Sequence, residues 1–191
     1  MSMNGIFQLF AGSAVIAAAV FSCGCSLLSE PRQTRIAYYD LKPPEKLSSL
    51  PVEVEQFVTF SGERQRMLRR KHDTSVVSSD FNKWMQSPGS LLTRYLRLTF
   101  RRNLSDPSYS GEQAVVIRGE VLIFEICGGN AVLGVRYQLK YDRQTYSKTV
   151  VIKEKMSSDC AEAFAEAMSK AASRFAGTVA AEIGKLCGKG K

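Results

Sequence analysis

The chain carries one histidine and one tryptophan in 191 residues, and it contains no HExxH, GxSxG, Walker or GxGxxG pattern. These absences exclude the zinc-peptidase, serine-hydrolase and nucleotide-binding classes, because each chemistry needs its residue types at a fixed spacing. His72 precedes Asp73, but a triad is defined by geometry, and one His-Asp pair with a distant serine does not make one. Cysteine is sparse and scattered. Beyond Cys23 and Cys25 there are only Cys127, Cys160 and Cys187, with no CxxC pair and no zinc spacing. Cys160 and Cys187 stand too far apart on one helical segment to pair. A disulfide from Cys127 to either remains open beside the reading as buried free thiols. The sequence therefore reads as a non-enzyme, with no catalytic residue, no metal and no diffusible cofactor.

Charge is absent from Met1 to Cys25. From Ile6 to Phe21 only Gln8 and Ser13 interrupt an apolar run, shorter than the roughly 20 residues a membrane span needs. It has the length of a secretory h-region, although its start lacks the usual Lys or Arg. The run ends in VFSCGCSLLSE, and a bacterial lipobox places an aliphatic residue at −3 and a small one at −1 before a lipidated cysteine. Val20-Phe21-Ser22-Cys23 offers the aliphatic −3, and Ser22-Cys23-Gly24-Cys25 the smaller −1, so either Cys23 or Cys25 is the expected lipidation site. A covalent diacylglycerol with further acyl chains, palmitate among them, would anchor the chain, since stable attachment takes two or more chains. No Asp follows at +2, which favours the outer membrane facing the periplasm. Residues 1–25 are thus read as signal and lipobox, 26–36 as a short polar tether, and 37–191 as one domain with a core of its own.

All the charge belongs to that domain. Twenty-six Lys and Arg against 18 Asp and Glu give a net +8, which calls for acidic partners: phospholipid headgroups, lipopolysaccharide or acidic protein surfaces. Nucleic acid is excluded by the export signal. The densest basic run holds Arg64, Arg66, Arg69, Arg70 and Lys71, a candidate contact for a partner or for anionic headgroups, or else the solvated side of a strand.

Periodicity supplies the elements. Ala37 to Leu41 reads as a strand stopped by Pro43-Pro44, and Val52 to Phe60 as another, alternating Val and Glu. Gln65 to Asp80 reads as its hairpin partner across Ser61-Gly62. Leu91, Leu92, Tyr95, Leu96 and Phe100 form the stripe of an amphipathic helix from Pro88 to Asn103, with Trp84 packing at its entry, ring buried and N–H satisfied. Three strands follow, at 114–127, 131–142 and 145–155, joined at Gly128-Gly129-Asn130 and Arg143-Gln144 as an antiparallel meander. Val135, Tyr137, Leu139 and Tyr141 would face inward, and Arg136, Gln138 and Lys140 outward. Asp159 and Glu162 resemble a capping box for a last helix striped by Phe164, Met168, Phe175, Val179 and Ile183. The predicted fold is α/β (α+β): one mixed, largely antiparallel sheet with two main helices, in the order β-ββ-α-βββ-α.

A lipobox, then YYDL before prolines, VEVEQF, DFNKWMQSPGSLLTRYL, GEVLIFE and an Ala-rich last helix together resemble the ABC-type transport auxiliary lipoproteins, including the lipoprotein of the paraquat-inducible system. Trp84 to Pro88 leading into the Leu-rich helix is the most telling part. The resemblance implies a fold similar to the N-terminal domain of the Tol-Pal periplasmic protein, and work beside an ABC permease and a mammalian-cell-entry (MCE) protein in moving lipids between membranes. It further implies outer-membrane anchoring, docking of the MCE assembly and homo-oligomeric rings, with Trp84 and Pro88 structural and no catalytic residues to carry over. The contrasting expectation is a periplasmic lipid carrier, which needs a continuous apolar cavity between last helix and sheet.

Overall fold

The computed structural model describes residues 35–60, 65–101 and 114–188. The signal, both lipobox cysteines, most of the tether, Arg64 and the expected turn at Ser61-Gly62 lie outside the described residues. In chain order the elements are β1 (Ala37–Tyr39), β2 (Val52–Val54), β3 (Val58–Thr59), β4 (Arg66–His72), β5 (Ser75–Trp84), α1 (Pro88–Thr99), β6 (Val115–Cys127), β7 (Asn130–Tyr141), β8 (Gln144–Lys155) and α2 (Ala161–Gly188). The strands form one mixed sheet in the order β1-β5-β4-β6-β7-β8, with β2 and β3 also paired to β6.

The long ladders are antiparallel, as alternation and tight turns dictate. β6 runs against β7 and β7 against β8. Gly128 and Gly129 make the first turn, both at positive φ, which costs glycine little because it has no Cβ. The second turn is Asp142-Arg143, one residue earlier than the sequence suggests, with Asp142 at φ 54°; Asp tolerates this region better than most residues.

The first third departs from expectation. Val52 to Phe60 is two short strands, because the chain leaves the ladder between them to bury Phe57, whose amide donates to the Thr93 hydroxyl at 2.8 Å. Both β2 and β3 pair parallel with β6, so β3 is not the hairpin partner of β4. Gln65 to Asp80 is not a single strand either: β4 and β5 form their own hairpin, with His72 opposite Ser75 across Asp73-Thr74. β4 then inserts beside the last residues of β6 in parallel.

α1 begins where its caps allow. Ser87 accepts from the Ser90 amide at 3.3 Å, and Pro88 takes the first position, where a missing N–H costs nothing. The helix ends at Thr99 rather than Asn103. The Thr99 carbonyl receives the Ser48 amide at 2.7 Å, and Phe100 turns in to 3 % exposure. α2 is capped by Cys160 rather than Asp159: the Cys160 Sγ accepts from the Ala163 amide at 3.4 Å, while Asp159 is drawn to Arg69 at 2.5 Å.

Both helices cover the same face of the sheet. Phe57 meets Phe175 edge-on at 6.4 Å, Tyr137 meets Phe175 at 5.3 Å, and Trp84 meets Phe124 and Phe164 at 5.0 and 5.3 Å. Phe164, Met168, Phe175, Val179 and Ile183 of α2 are all fully buried, each worth about 1.5–3 kcal/mol on burial, so side chains fill the α2–sheet interface. Trp84 is fully buried, but its Nε1 has no hydrogen-bond partner, against the expectation. Burying an indole of 150–250 Å² gains roughly 4–6 kcal/mol and outweighs an orphan N–H at about 1–3 kcal/mol.

Candidate functional site

With the helices on one side, the other face of the sheet is left open. Tyr137, Lys148 and Glu154 contact α2 through Glu182 and Arg174. Strand alternation therefore turns Arg136, Gln138 and Lys140 of β7, and Thr149, Val151 and Lys153 of β8, outward. Arg136, Lys140, Thr149, Val151 and Lys153 are exposed. Across the β6–β7 ladder, Arg136 pairs with Glu120 at 3.0 Å and Arg118 donates to Gln138 at 2.9 Å. These cross-strand contacts fix side chains upright over the pleat.

β4 extends this face and divides the basic run by parity. Arg66 and Arg70 point to the open face. Arg69 points to the helix side, where it holds Asp159, and Lys71 is exposed on that same parity. Arg66 reaches Asp80 at 3.1 Å and Ser78 at 3.4 Å. Arg70 grips Glu125 with two bonds, Nε to Oε1 at 2.5 Å and Nη2 to Oε2 at 3.1 Å, and Nη1 donates to the Asp73 carbonyl at 3.0 Å. The hydrogen bond to Glu125, and then its negative charge, hold the Arg70 guanidinium above its ordinary pKa. The run is thus not one free patch. His72 is exposed at the end of β4, and among the described residues no group of His, Cys, Asp and Glu is placed to hold a metal.

Among the described residues the open face holds a recess. β6 carries an irregularity between Val121 and Ile123. β3 pairs with β6 up to Val121, and β4 pairs from Glu125 onward. The recess between them measures about 650 Å³. Leu68, Val76, Leu122 and Ile123 line it, with Arg66 and Arg70 beside them. The outward β7 residues were legible from the alternation at 135–142, whereas the recess had no signal, because it arises from strands far apart in sequence meeting one edge.

Of the three remaining cysteines none is bonded to another, and Cys160 is exposed rather than buried. No helix of the described residues is long and apolar enough to cross a membrane.

Residues 50–180 match a family described as the ABC-type transport auxiliary lipoprotein component. Two solved structures share the fold. One is an uncharacterized protein, 17 % identical, with a TM-score of 0.65 over 78 % of this chain and 99 % of that one. The other is a Xanthomonas campestris protein assigned to DUF330, 15 % identical, with a TM-score of 0.61 over 81 % of this chain and 99 % of that one. No curated protein is significantly similar to this chain.

Proposed function

The chain belongs to the ABC-type transport auxiliary lipoprotein family, and on that footing we propose that it is a non-enzymatic docking component, held by its lipid at the outer membrane and facing the periplasm. Its open sheet face receives the periplasmic MCE-domain assembly of an ABC transport system that moves lipids, and copies of the chain assemble as a ring around the docking point. The lipid is carried on Cys23 or Cys25. The observation that supports this reading most is the bare, basic sheet face, where Arg118, Arg136, Lys140 and Lys153 stand clear of both helices. The face carries a basic excess although Glu120 pairs with Arg136, and such an excess steers an acidic partner and fixes its register more than it adds raw affinity.

The test is binding of the full chain, in detergent, to an MCE-domain protein from the same organism. Arg136→Glu with Lys140→Glu should weaken binding about tenfold or more, mostly at low salt. Unchanged binding by that variant, or none by the unaltered chain, would overturn the proposal. The carrier alternative has less support, because the α2–sheet interface that would hold a lipid is filled by fully buried side chains. Native mass spectrometry with a phospholipid retained on the purified chain would revive it.

A further inference from the structure

A second charged surface lies on the helix side, away from the open face. α1 buries Leu91, Leu92, Tyr95 and Leu96 and turns Arg94, Arg97 and Leu98 outward, with Arg101 just past its end. Arg94 and Arg97 stand about 4.5 Å apart along the helix axis on one face, and Arg101 follows beyond its end. They border a groove of about 510 Å³ whose lining adds Gln56, Gln86 and Ser90. Among the described residues no carboxylate lines it. Arg94 is partly neutralised by Asp40. Arg97 spends its Nε on the Val54 carbonyl at 3.1 Å, and among the described residues neither Arg97 nor Arg101 has an acidic partner. Leu98, 38 % exposed, stands between the charges as an apolar contact.

We propose that this groove seats an acidic helical segment of a partner protein, with carboxylates one turn apart meeting Arg94, Arg97 and Arg101. Three arginines and no lysine in the groove favour carboxylates presented in fixed directions, because the planar guanidinium fork binds them in pairs of parallel hydrogen bonds. The Gln56 and Gln86 amides and the Ser90 hydroxyl suit the polar flank of such a segment. A membrane surface fits less well. Interfacial helices dip a broad apolar face into the headgroup boundary, and α1 has committed that face to its own core, leaving Leu98 alone. The proposal rests on the docking reading only in taking the partner to be a protein, and it adds a contact distinct from the open sheet face.

The experiment places a photo-reactive benzophenone residue at position 98 of the full chain in intact envelopes, with a second version carrying it at position 151 on the open face. Cross-linked segments are identified by mass spectrometry. Position 98 should capture a helical segment with Asp or Glu spaced three or four residues apart, and Arg97→Gln with Arg101→Gln should cut the yield about tenfold. Arg101→Gln alone, a side chain without a partner among the described residues, should cut it several-fold and does not disturb the Val54 contact. Capture of lipid, of another copy of this chain or of a segment without carboxylates would overturn the proposal, as would no capture or a yield indifferent to the arginines. Loss at 98 with capture retained at 151 would sink this inference and leave the docking reading standing.

Discussion

Arg70 and Glu125 form a two-pronged ion pair on the open side of the sheet, between β4 and β6, and the carboxylate end is almost fully buried, with 8 % side-chain exposure against 33 % for the arginine. A buried carboxylate is tolerable only while its partner remains, since losing one member strands the other charge. Arg70→Gln should therefore lower the melting temperature clearly. Arg70→Gln with Glu125→Gln should recover most of the loss, because two amides can satisfy each other without a desolvated charge. A double variant as unstable as the single one would show that shape, not charge, holds this junction of parallel strands.

Gly119 sits where the Phe57 ring presses on β6. A Cβ there would meet the Arg136 carbonyl and stand 2.7 Å from Phe57 Cε1. The first neighbour is backbone and cannot yield easily, and the second is a core ring. Gly119→Ala should cost about 1–3 kcal/mol in chemical denaturation, the usual range for overpacking. Stability equal to the unaltered chain would mean that the segment between β2 and β3 is free to lift away.

Glu182 receives both the Tyr137 hydroxyl, at 2.7 Å, and the Lys148 ammonium. Burial pushes this carboxyl up, but the Lys148 and Tyr137 hydrogen bonds and the Lys148 charge outweigh it, so its pKa lies below the ordinary value. Burial first, then the bond to Glu182, holds the Tyr137 hydroxyl protonated well above its ordinary range. A depressed carboxyl adds stability that is fully present above its unfolded pKa of about 4.3 and is lost as the pH falls through its folded value. Glu182→Gln should melt below the unaltered chain at pH 7, and the gap should close as the pH falls below about 4.3 and through the lowered folded value. A gap independent of pH would assign the effect to packing.

Lipidation rests on the lipobox reading. Intact mass spectrometry of the protein from bacterial envelopes should show an acylated mass that disappears with either Cys23→Ala or Cys25→Ala, naming the anchor. An unacylated chain cleaved elsewhere would remove the membrane attachment from the proposal.

Local signals carried much of the fold. The alternation through Val135, Tyr137, Leu139 and Tyr141 gave β7 its faces, the Gly128-Gly129 turn gave the first hairpin of the meander, and the stripe from Phe164 to Ile183 gave α2. Each is a contest settled within one or two turns of chain. The hairpin of β4 falls at Asp73-Thr74, inside the segment that read as one strand, because β4 pairs with β5 and β6 while β3 pairs with β6. Cys160 rather than Asp159 caps α2, with the Asp159 carboxylate turned to Arg69.

The sequence by itself determined the basic character of the chain, its α+β class and much of its core, because hydrophobic period and charge are properties of the chain alone. Only the tertiary structure decided that β2, β3 and β4 share one edge of β6, that Glu125 is buried against Arg70, and that one sheet face is left uncovered by the helices. Parallel pairing leaves no mark in the local pattern, and a side chain's partner is set by whichever distant strand arrives beside it.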